Sequence, residues 1–176
     1  MRRTRSGGDA RFWGLLLVGL CVAIYGWHAQ QFAQHVGQPV IPGDGTVHPG
    51  EVLERIAAYG VAGRQAYVAF LSLACLVPVA GSLVMLRLYE TLGEPRKHRR
   101  RLGLAAALPA VCALSENTLL ALLAMTYPSG GLALATLAYA MTVAKLLACA
   151  AALLALAVVA SGWLRRQVDA DPHETI

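Results

Sequence analysis

The chain is 176 residues long, 57% hydrophobic and only 14% charged, with 15 Lys and Arg residues against 10 Asp and Glu. Soluble domains are roughly a quarter charged and about half apolar, so this composition excludes an ordinary soluble enzyme, a secreted disulfide scaffold and a disordered tail. The apolar residues gather into four stretches long enough to cross a bilayer, which predicts a single, all-α integral membrane domain.

The first stretch covers residues 12–28 and follows a basic segment that contains Arg2, Arg3 and Arg5. A basic start before an apolar run is also typical of a signal peptide. Cleavage needs small residues at alternating positions, whereas Trp27 stands where a small residue belongs. The sequence therefore favours an uncleaved first span.

Residues 29–66 form the one sizeable hydrophilic segment. Turn-forming residues between Gln38 and Thr46 predict irregular structure in its first half. In its second half Pro49 suits a helix start, Gly60 suits a helix end, and apolar residues recur on one face: Val52, Leu53, Ile56 and Tyr59. This pattern predicts a short amphipathic helix that lies on the membrane surface or caps the bundle.

Three further spans are predicted at 67–86, 102–126 and 132–164. Pro78 lies near the middle of the second span, where a proline frees a carbonyl and bends the helix. A basic loop at 87–101 separates the second span from the third, and a tight turn at Tyr127–Gly131 separates the third from the fourth. The fourth stretch is longer than a bilayer requires, so we expect it to tilt or to project from the membrane.

The positions of the basic residues predict the orientation of the spans. Most Lys and Arg residues precede the first span, lie in the 87–101 loop or follow the fourth span, whereas residues 29–66 carry only Arg55 and Arg64. The positive-inside rule then predicts that both termini are cytoplasmic and the amphipathic helix is extracytoplasmic, so that the four spans form an antiparallel bundle in the inner (plasma) membrane. Aromatic residues expected at the outer interface are Tyr25, Trp27, Tyr67 and Tyr127.

Two ionisable residues, Glu116 and Lys145, interrupt the third and fourth spans. At a rise of about 1.5 Å per residue both come near the middle of the bilayer, within reach of each other on adjacent helices. An unpaired charge there costs at least about 2.5–3.5 kcal/mol, so we expect the two to pair. Asn117 and Thr142 lie close by in sequence and are expected to extend the same polar site.

This polar site has two interpretations. In the first, which the sequence favours, the pair only holds the bundle together, and the protein is a structural or a lipid- or partner-binding module rather than an enzyme. Alternatively, Glu116 exchanges protons and Lys145 binds an anionic group, in a lipid-modifying enzyme or a proton-linked carrier of a small molecule. A cavity lined by Glu116, Asn117, Thr142 and Lys145 would favour the second interpretation, and a dry, closely packed pair would favour the first.

The sequence predicts no metal or other cofactor. His28, His35 and His48 share one loop, but their spacing matches no metal-ligand motif, and none of the five histidines lies within a span where it would hold a haem. The four cysteines lie one in each span without a C-x-x-C motif, so we interpret them as small core residues rather than a redox centre: Cys21, Cys75, Cys112 and Cys149.

The predicted partners are membrane lipids. A basic cluster in the 87–101 loop is expected to contact anionic headgroups, through Arg96, Lys97, Arg99, Arg100 and Arg101. The cluster lacks the aromatic or glycine-rich pattern of nucleic-acid recognition, so we expect no nucleic-acid partner. A homo- or hetero-oligomer in the membrane is compatible with the sequence.

Short motifs give the chain a resemblance to an uncharacterised group of small four-helix bacterial integral membrane proteins. In that group a Gly-x-x-Gly-Arg-x-x-Tyr element leads into a second helix with a central proline, the third helix carries Glu-Asn and the fourth Thr-x-x-Lys. The matching residues here are Gly60, Gly63, Arg64, Tyr67, Pro78, Glu116, Asn117, Thr142 and Lys145.

The resemblance implies the four-helix fold and a bacterial inner membrane, and it links Glu116 to Lys145. Arg64 and Tyr67, at the start of the second span, are expected to support the site from the membrane interface. It implies no activity. The chain departs from the pattern at Ala74 and Ala113, where the group carries acidic residues.

Overall fold

The computed structural model describes residues 6–41, 48–92 and 96–170, and within these ranges it contains helices and no strands. The described residues form six helices: α1 (Ser6–Val36), α2 (Pro49–Ala58), α3 (Gly60–Ala74), α4 (Leu76–Thr91), α5 (Arg96–Thr126) and α6 (Gly131–Ala170). Four segments are long and apolar enough to cross a membrane, judged by length and composition: Leu16–Val36, Gly60–Glu90, Arg100–Thr126 and Gly131–Arg166. The prediction of an all-α chain with four candidate spans is confirmed.

Helix α1 continues to Val36, well beyond the predicted end of the first span at residue 28. The reason is packing, because Phe32 is buried and its ring lies 5.1 Å from that of Tyr59 and 6.2 Å from that of Phe70. The hydrophilic composition that follows residue 28 therefore belongs in part to an exposed helix face. The predicted 29–66 loop is correspondingly shorter than expected, and α3 already begins at Gly60.

The predicted amphipathic helix is present as α2. Pro49 occupies its first turn, and Val52 and Ile56 are buried. The helix ends at Ala58, and Gly60 takes a φ of +64°, a left-handed conformation in which glycine avoids the steric clash of a Cβ. The apolar face of α2 packs into the main core, and the helix contacts α3 and α6.

The second candidate span is interrupted at Cys75, which separates α3 from α4. Pro78 lies three residues further on and has no N–H to donate to the carbonyl of Ala74. The Cys75 N–H and Sγ both bond the Leu71 carbonyl, at 3.2 and 3.3 Å. The helix is therefore interrupted about one turn before the proline, next to the freed carbonyl of Ala74.

The basic segment predicted as a loop at 87–101 is largely helical, because α4 runs to Thr91 and α5 begins at Arg96. Lys and Arg are good helix formers. The end of α4 is also fixed by Tyr89, which is buried and donates a hydrogen bond to the Ala152 carbonyl on α6 at 3.1 Å. Helix α6 extends to Ala170, past the predicted end at 164.

Some of the sequence predictions concern residues outside the description. The N-terminal arginines Arg2, Arg3 and Arg5 and the turn-rich residues 42–47 are among them. The side chains of Arg96, Lys97 and Arg99 are likewise not described, whereas those of His98, Arg100 and Arg101 are exposed.

Helix α5 is the centre of the packing. It contacts α3, α4 and α6, while α1 packs against α3 and α4. The larger core cluster joins rings and aliphatic side chains of α1, α2, α3, α5 and α6, and a smaller cluster surrounds Tyr89, Ala106 and Val159. Many large apolar side chains remain exposed, such as Leu154 at 68% and Val158 at 70%, which a water-soluble surface would not tolerate in such number.

Candidate functional site

The structure brings Glu116 on α5 and Lys145 on α6 together. The Lys145 Nζ lies 2.5 Å from Glu116 Oε2 in a salt bridge. The Glu116 side chain is only 3% exposed and that of Lys145 19% exposed. A short turn after Thr126 joins the two helices, which pack against each other. Glu116 and Lys145 therefore lie at the same height along the bundle although they are far apart in sequence.

Thr142 completes the environment of the carboxylate. It lies about one turn before Lys145 on α6 and is buried. Its hydroxyl lies 2.6 Å from Glu116 Oε1 and 3.1 Å from the Ala138 carbonyl, so its single proton serves two acceptors. Both carboxylate oxygens of Glu116 thus have a partner on α6, which is the requirement for keeping such a group buried.

Asn117 contacts a different part of the molecule. Its Nδ2 donates a hydrogen bond to the Sγ of Cys75 at 3.5 Å. Cys75 is the residue at which the second candidate span is interrupted, so Asn117 ties α5 to the junction of α3 and α4. Asn117 and Glu116 therefore lie side by side but hold neighbouring helices on different sides of α5.

A partly open cavity of about 240 Å³, which we call the central cavity, adjoins the pair. All four candidate spans contribute to its wall, through residues that include Tyr25, Tyr67, Phe70, Ala74, Pro78, Ala113, Glu116, Asn117 and Lys145. Most of this wall is apolar, with the polar groups concentrated at the pair. Thr142, which was expected at the same surface, supports Glu116 from the side without lining the cavity.

Ala74 and Ala113, the two positions at which the chain departs from the pattern it resembles, both line the central cavity. Their methyl groups leave open space where a carboxylate would add charge. The cavity wall in this chain is accordingly less acidic than one built on that pattern.

Tyr67 was predicted to lie at the membrane interface, and the structure places it in the core instead. It is 0% exposed, and its ring packs against those of Phe32, Tyr59 and Phe70. Its hydroxyl has no hydrogen-bond partner within the described residues. Sequence reasoning missed this because an aromatic residue near a span end suits the interface as well as the core.

Arg64 lies apart from the pair. Its guanidinium is 5.1 Å from the centre of the Tyr127 ring, a cation–π contact that links the start of α3 to the turn between α5 and α6. It lines a separate cavity together with Val61, Gln65 and Met125. The structure therefore separates Arg64 from the Glu116–Lys145 site.

A third cavity, of about 280 Å³ and called the adjoining cavity below, lies on the other side of Lys145. It shares Pro78, Ala113 and Lys145 with the central cavity and continues along the helices to Met85 and Ala152. From Tyr67 to Met85 the two cavities follow about 27 Å of helix, close to the thickness of a bilayer core. Lys145 thus lines both cavities, whereas Glu116 lines the central cavity.

Metal and redox chemistry find little support in the described part of the chain. No group of three or more His, Cys, Asp or Glu side chains among those residues is placed to hold a metal ion. The four cysteines are free, and Cys75 is engaged with Leu71 and Asn117.

Comparison with known proteins adds no family, since no family model matches the sequence and neither a curated protein nor a solved structure matches it. The functional argument therefore depends on the geometry of the site.

Proposed function

We propose that this chain is a small multi-pass protein of the inner (plasma) membrane that binds a small molecule inside its bundle, at the Glu116–Lys145 pair. The observation that carries the proposal is the central cavity beside the pair. A pair that only held the helices together would need no cavity beside it, because closer packing would gain dispersion contacts. Binding sites, in contrast, are mostly apolar concavities with a few polar groups, as here.

The experiment is native mass spectrometry of gently purified protein, which detects a retained small molecule. The double variant Glu116→Gln, Lys145→Met removes both charges while keeping the side-chain sizes and the overall neutrality of the pair. We expect a discrete retained mass on the wild type and its loss from this variant. The exposed Arg87–Glu90 pair supplies a matched control, since Arg87→Met, Glu90→Gln should retain the molecule. Equal retention by all three proteins, or none by the wild type, would contradict the proposal.

The proposed architecture is an antiparallel bundle with both termini cytoplasmic and α2 outside. It is supported by the uneven distribution of basic residues and by the short turn between α5 and α6. In a variant that lacks the native cysteines, single cysteines are introduced in place of Glu54 or Ser129. A membrane-impermeant maleimide should label both of them in intact cells. A cysteine at Arg100 should react only after the membrane is opened. The reverse pattern would invert the topology.

A proton-linked carrier is the second candidate function, and the adjoining cavity is the observation that favours it. Two cavities that both border Lys145, the ionisable partner of Glu116, suit a carrier that needs access to one site from both sides of the membrane. Proteoliposomes with an enclosed pH dye test it: wild type should discharge a proton gradient when the transported solute is present, and Glu116→Gln should not. The solute to add is the molecule that native mass spectrometry identifies. If the proton gradient is equally stable with wild type and with Glu116→Gln, the protein binds this molecule without transporting it.

Anionic lipids are the proposed partners of the basic segment at the start of α5. Arg100 and Arg101 are exposed there, and each basic residue near an anionic surface contributes about 1 kcal/mol. Replacing both with Gln should lower the number of phosphatidylglycerol molecules retained relative to phosphatidylcholine. An unchanged ratio would contradict lipid contact by these residues.

A further inference from the structure

The Tyr67 hydroxyl is the one buried side-chain polar atom without a hydrogen-bond partner within residues 6–41, 48–92 and 96–170. Native proteins rarely leave such a group unsatisfied, because its loss of hydration is not recovered. A phenylalanine would make the same ring contacts with Phe32, Tyr59 and Phe70 without this penalty. The hydroxyl therefore requires an acceptor that the described residues do not provide.

The surroundings of Tyr67 indicate where that acceptor lies. Tyr67 lines the central cavity together with Glu116 and Lys145. The Glu116 carboxylate oxygens are already engaged by Thr142 and Lys145. No hydrogen bond joins either oxygen to Tyr67, so a molecule that enters the central cavity is the candidate acceptor.

The charge of the site limits the chemistry of that molecule. Glu116 and Lys145 compensate each other, so the pair as a whole is neutral. An anionic ligand would bring a second negative charge close to Glu116 in a medium of low dielectric constant, which is costly. The rest of the wall is formed by apolar and aromatic side chains such as Tyr25, Phe70 and Leu120. A neutral and mostly apolar ligand fits both conditions.

We infer that the central cavity binds a neutral, largely apolar molecule whose carbonyl oxygen accepts a hydrogen bond from the Tyr67 hydroxyl. The inference rests on the proposed binding function and names the class of ligand. Two sources supply this chemistry, the ester carbonyl of a neutral glycerolipid that enters from the bilayer and the ring carbonyl of a quinone-like compound. Tyr67 is the specificity-determining residue in either case.

The test uses full-length protein, stripped of bound lipid in detergent and titrated with three probes. Dioleoylglycerol carries ester carbonyls, its dioleyl ether analogue has none, and menadione carries ring carbonyls without acyl chains. We expect at least one carbonyl probe to bind, and Tyr67→Phe to weaken that binding about fivefold to tenfold, the effect of one lost hydrogen bond. Tyr89→Phe is the matched control, because its hydroxyl donates to Ala152 outside the central cavity, and it should bind as the wild type does.

The outcomes separate the sources and the hypotheses. Binding of the ester but not of the ether identifies the glycerolipid source, and binding of menadione alone identifies the quinone-like source. Equal affinity of wild type and Tyr67→Phe for every probe overturns the inference. If that equality is accompanied by loss of the natively retained molecule in the Glu116→Gln, Lys145→Met variant, the proposed binding function stands while the carbonyl assignment falls. Stability without ligand provides a folding check, since Tyr67→Phe should be at least as stable as the wild type.

Discussion

The strongest quantitative prediction concerns the coupling between Glu116 and Lys145. Lys145→Met leaves a carboxylate that is 3% exposed and accepts a hydrogen bond from Thr142, and removing one member of a buried pair costs about 3–5 kcal/mol. Glu116→Gln keeps an acceptor for Thr142 and leaves an ammonium that is 19% exposed and borders two cavities, so we expect a smaller cost of about 2–3 kcal/mol. The double variant buries no net charge and should cost about 2 kcal/mol.

These values predict a non-additivity of about 3–6 kcal/mol in a double-mutant cycle, at or above the upper end of measured couplings. The cycle is measured by reversible unfolding with sodium dodecyl sulfate in mixed micelles. The same cycle on the exposed Arg87–Glu90 pair, with Arg87→Met and Glu90→Gln, should give about 0.3–0.5 kcal/mol. A Glu116–Lys145 coupling below about 0.5 kcal/mol would refute the reasoning, because the two charges would then not depend on each other.

Three further predictions concern the packing around the site. Burial raises the pKa of Tyr59 to about 12, because the effect of burial outweighs the lowering of this pKa by the Ile41 backbone and by Arg55. The unfolded chain therefore loses this proton near pH 10 while the folded protein keeps it, and stability should fall by about 1–2 kcal/mol between pH 10 and pH 12. Denaturation at several alkaline pH values should show a smaller loss in Tyr59→Phe, and an identical loss would contradict the assignment. Gly63→Ala places a Cβ 3.0 Å from side-chain atoms of Val36 and Tyr59 and should lower the free energy of unfolding by about 1–3 kcal/mol. Gly26→Ala has open space around the new Cβ and should be neutral or stabilising; thermal unfolding of both variants compares them. Ile56→Ala, at a fully buried position of α2, should lower the free energy of unfolding by about 2–5 kcal/mol. Glu54→Ala, on the exposed face of α2, should change it by no more than about 0.5 kcal/mol. Similar losses for both variants would mean that α2 is not anchored by its apolar face.

Much of the fold follows from local rules that the sequence displays. The apolar face of α2 lies between a proline that suits a helix start and a glycine that suits its end, so both the bounds and the buried residues of this helix could be predicted. The interruption at Cys75 follows from Pro78 by the same kind of local chemistry. The proximity of Glu116 and Lys145 required only helical rise and a short turn between two helices.

The remainder depends on packing that composition hides. The residues after 28 are rich in Gln and His, and only the burial of Phe32 reveals why α1 continues through them. Tyr67 could have been assigned to the core from its spacing with Phe70, Leu71 and Ala74, which share one helical face and are all buried. The cavities follow from the shapes of several helices together, and no local pattern in the sequence encodes them.

The most direct test of the proposed binding site is a crystal structure of the protein, from crystals grown in a lipidic mesophase, at a resolution that shows ordered ligands and water. We expect an intact Glu116–Lys145 salt bridge and electron density for an organic molecule in the central cavity. An oxygen of this molecule should lie within hydrogen-bond distance of the Tyr67 hydroxyl. A cavity filled by protein side chains or by water alone would contradict the binding function. Glu116 and Lys145 on separate surfaces of the bundle would contradict the site itself.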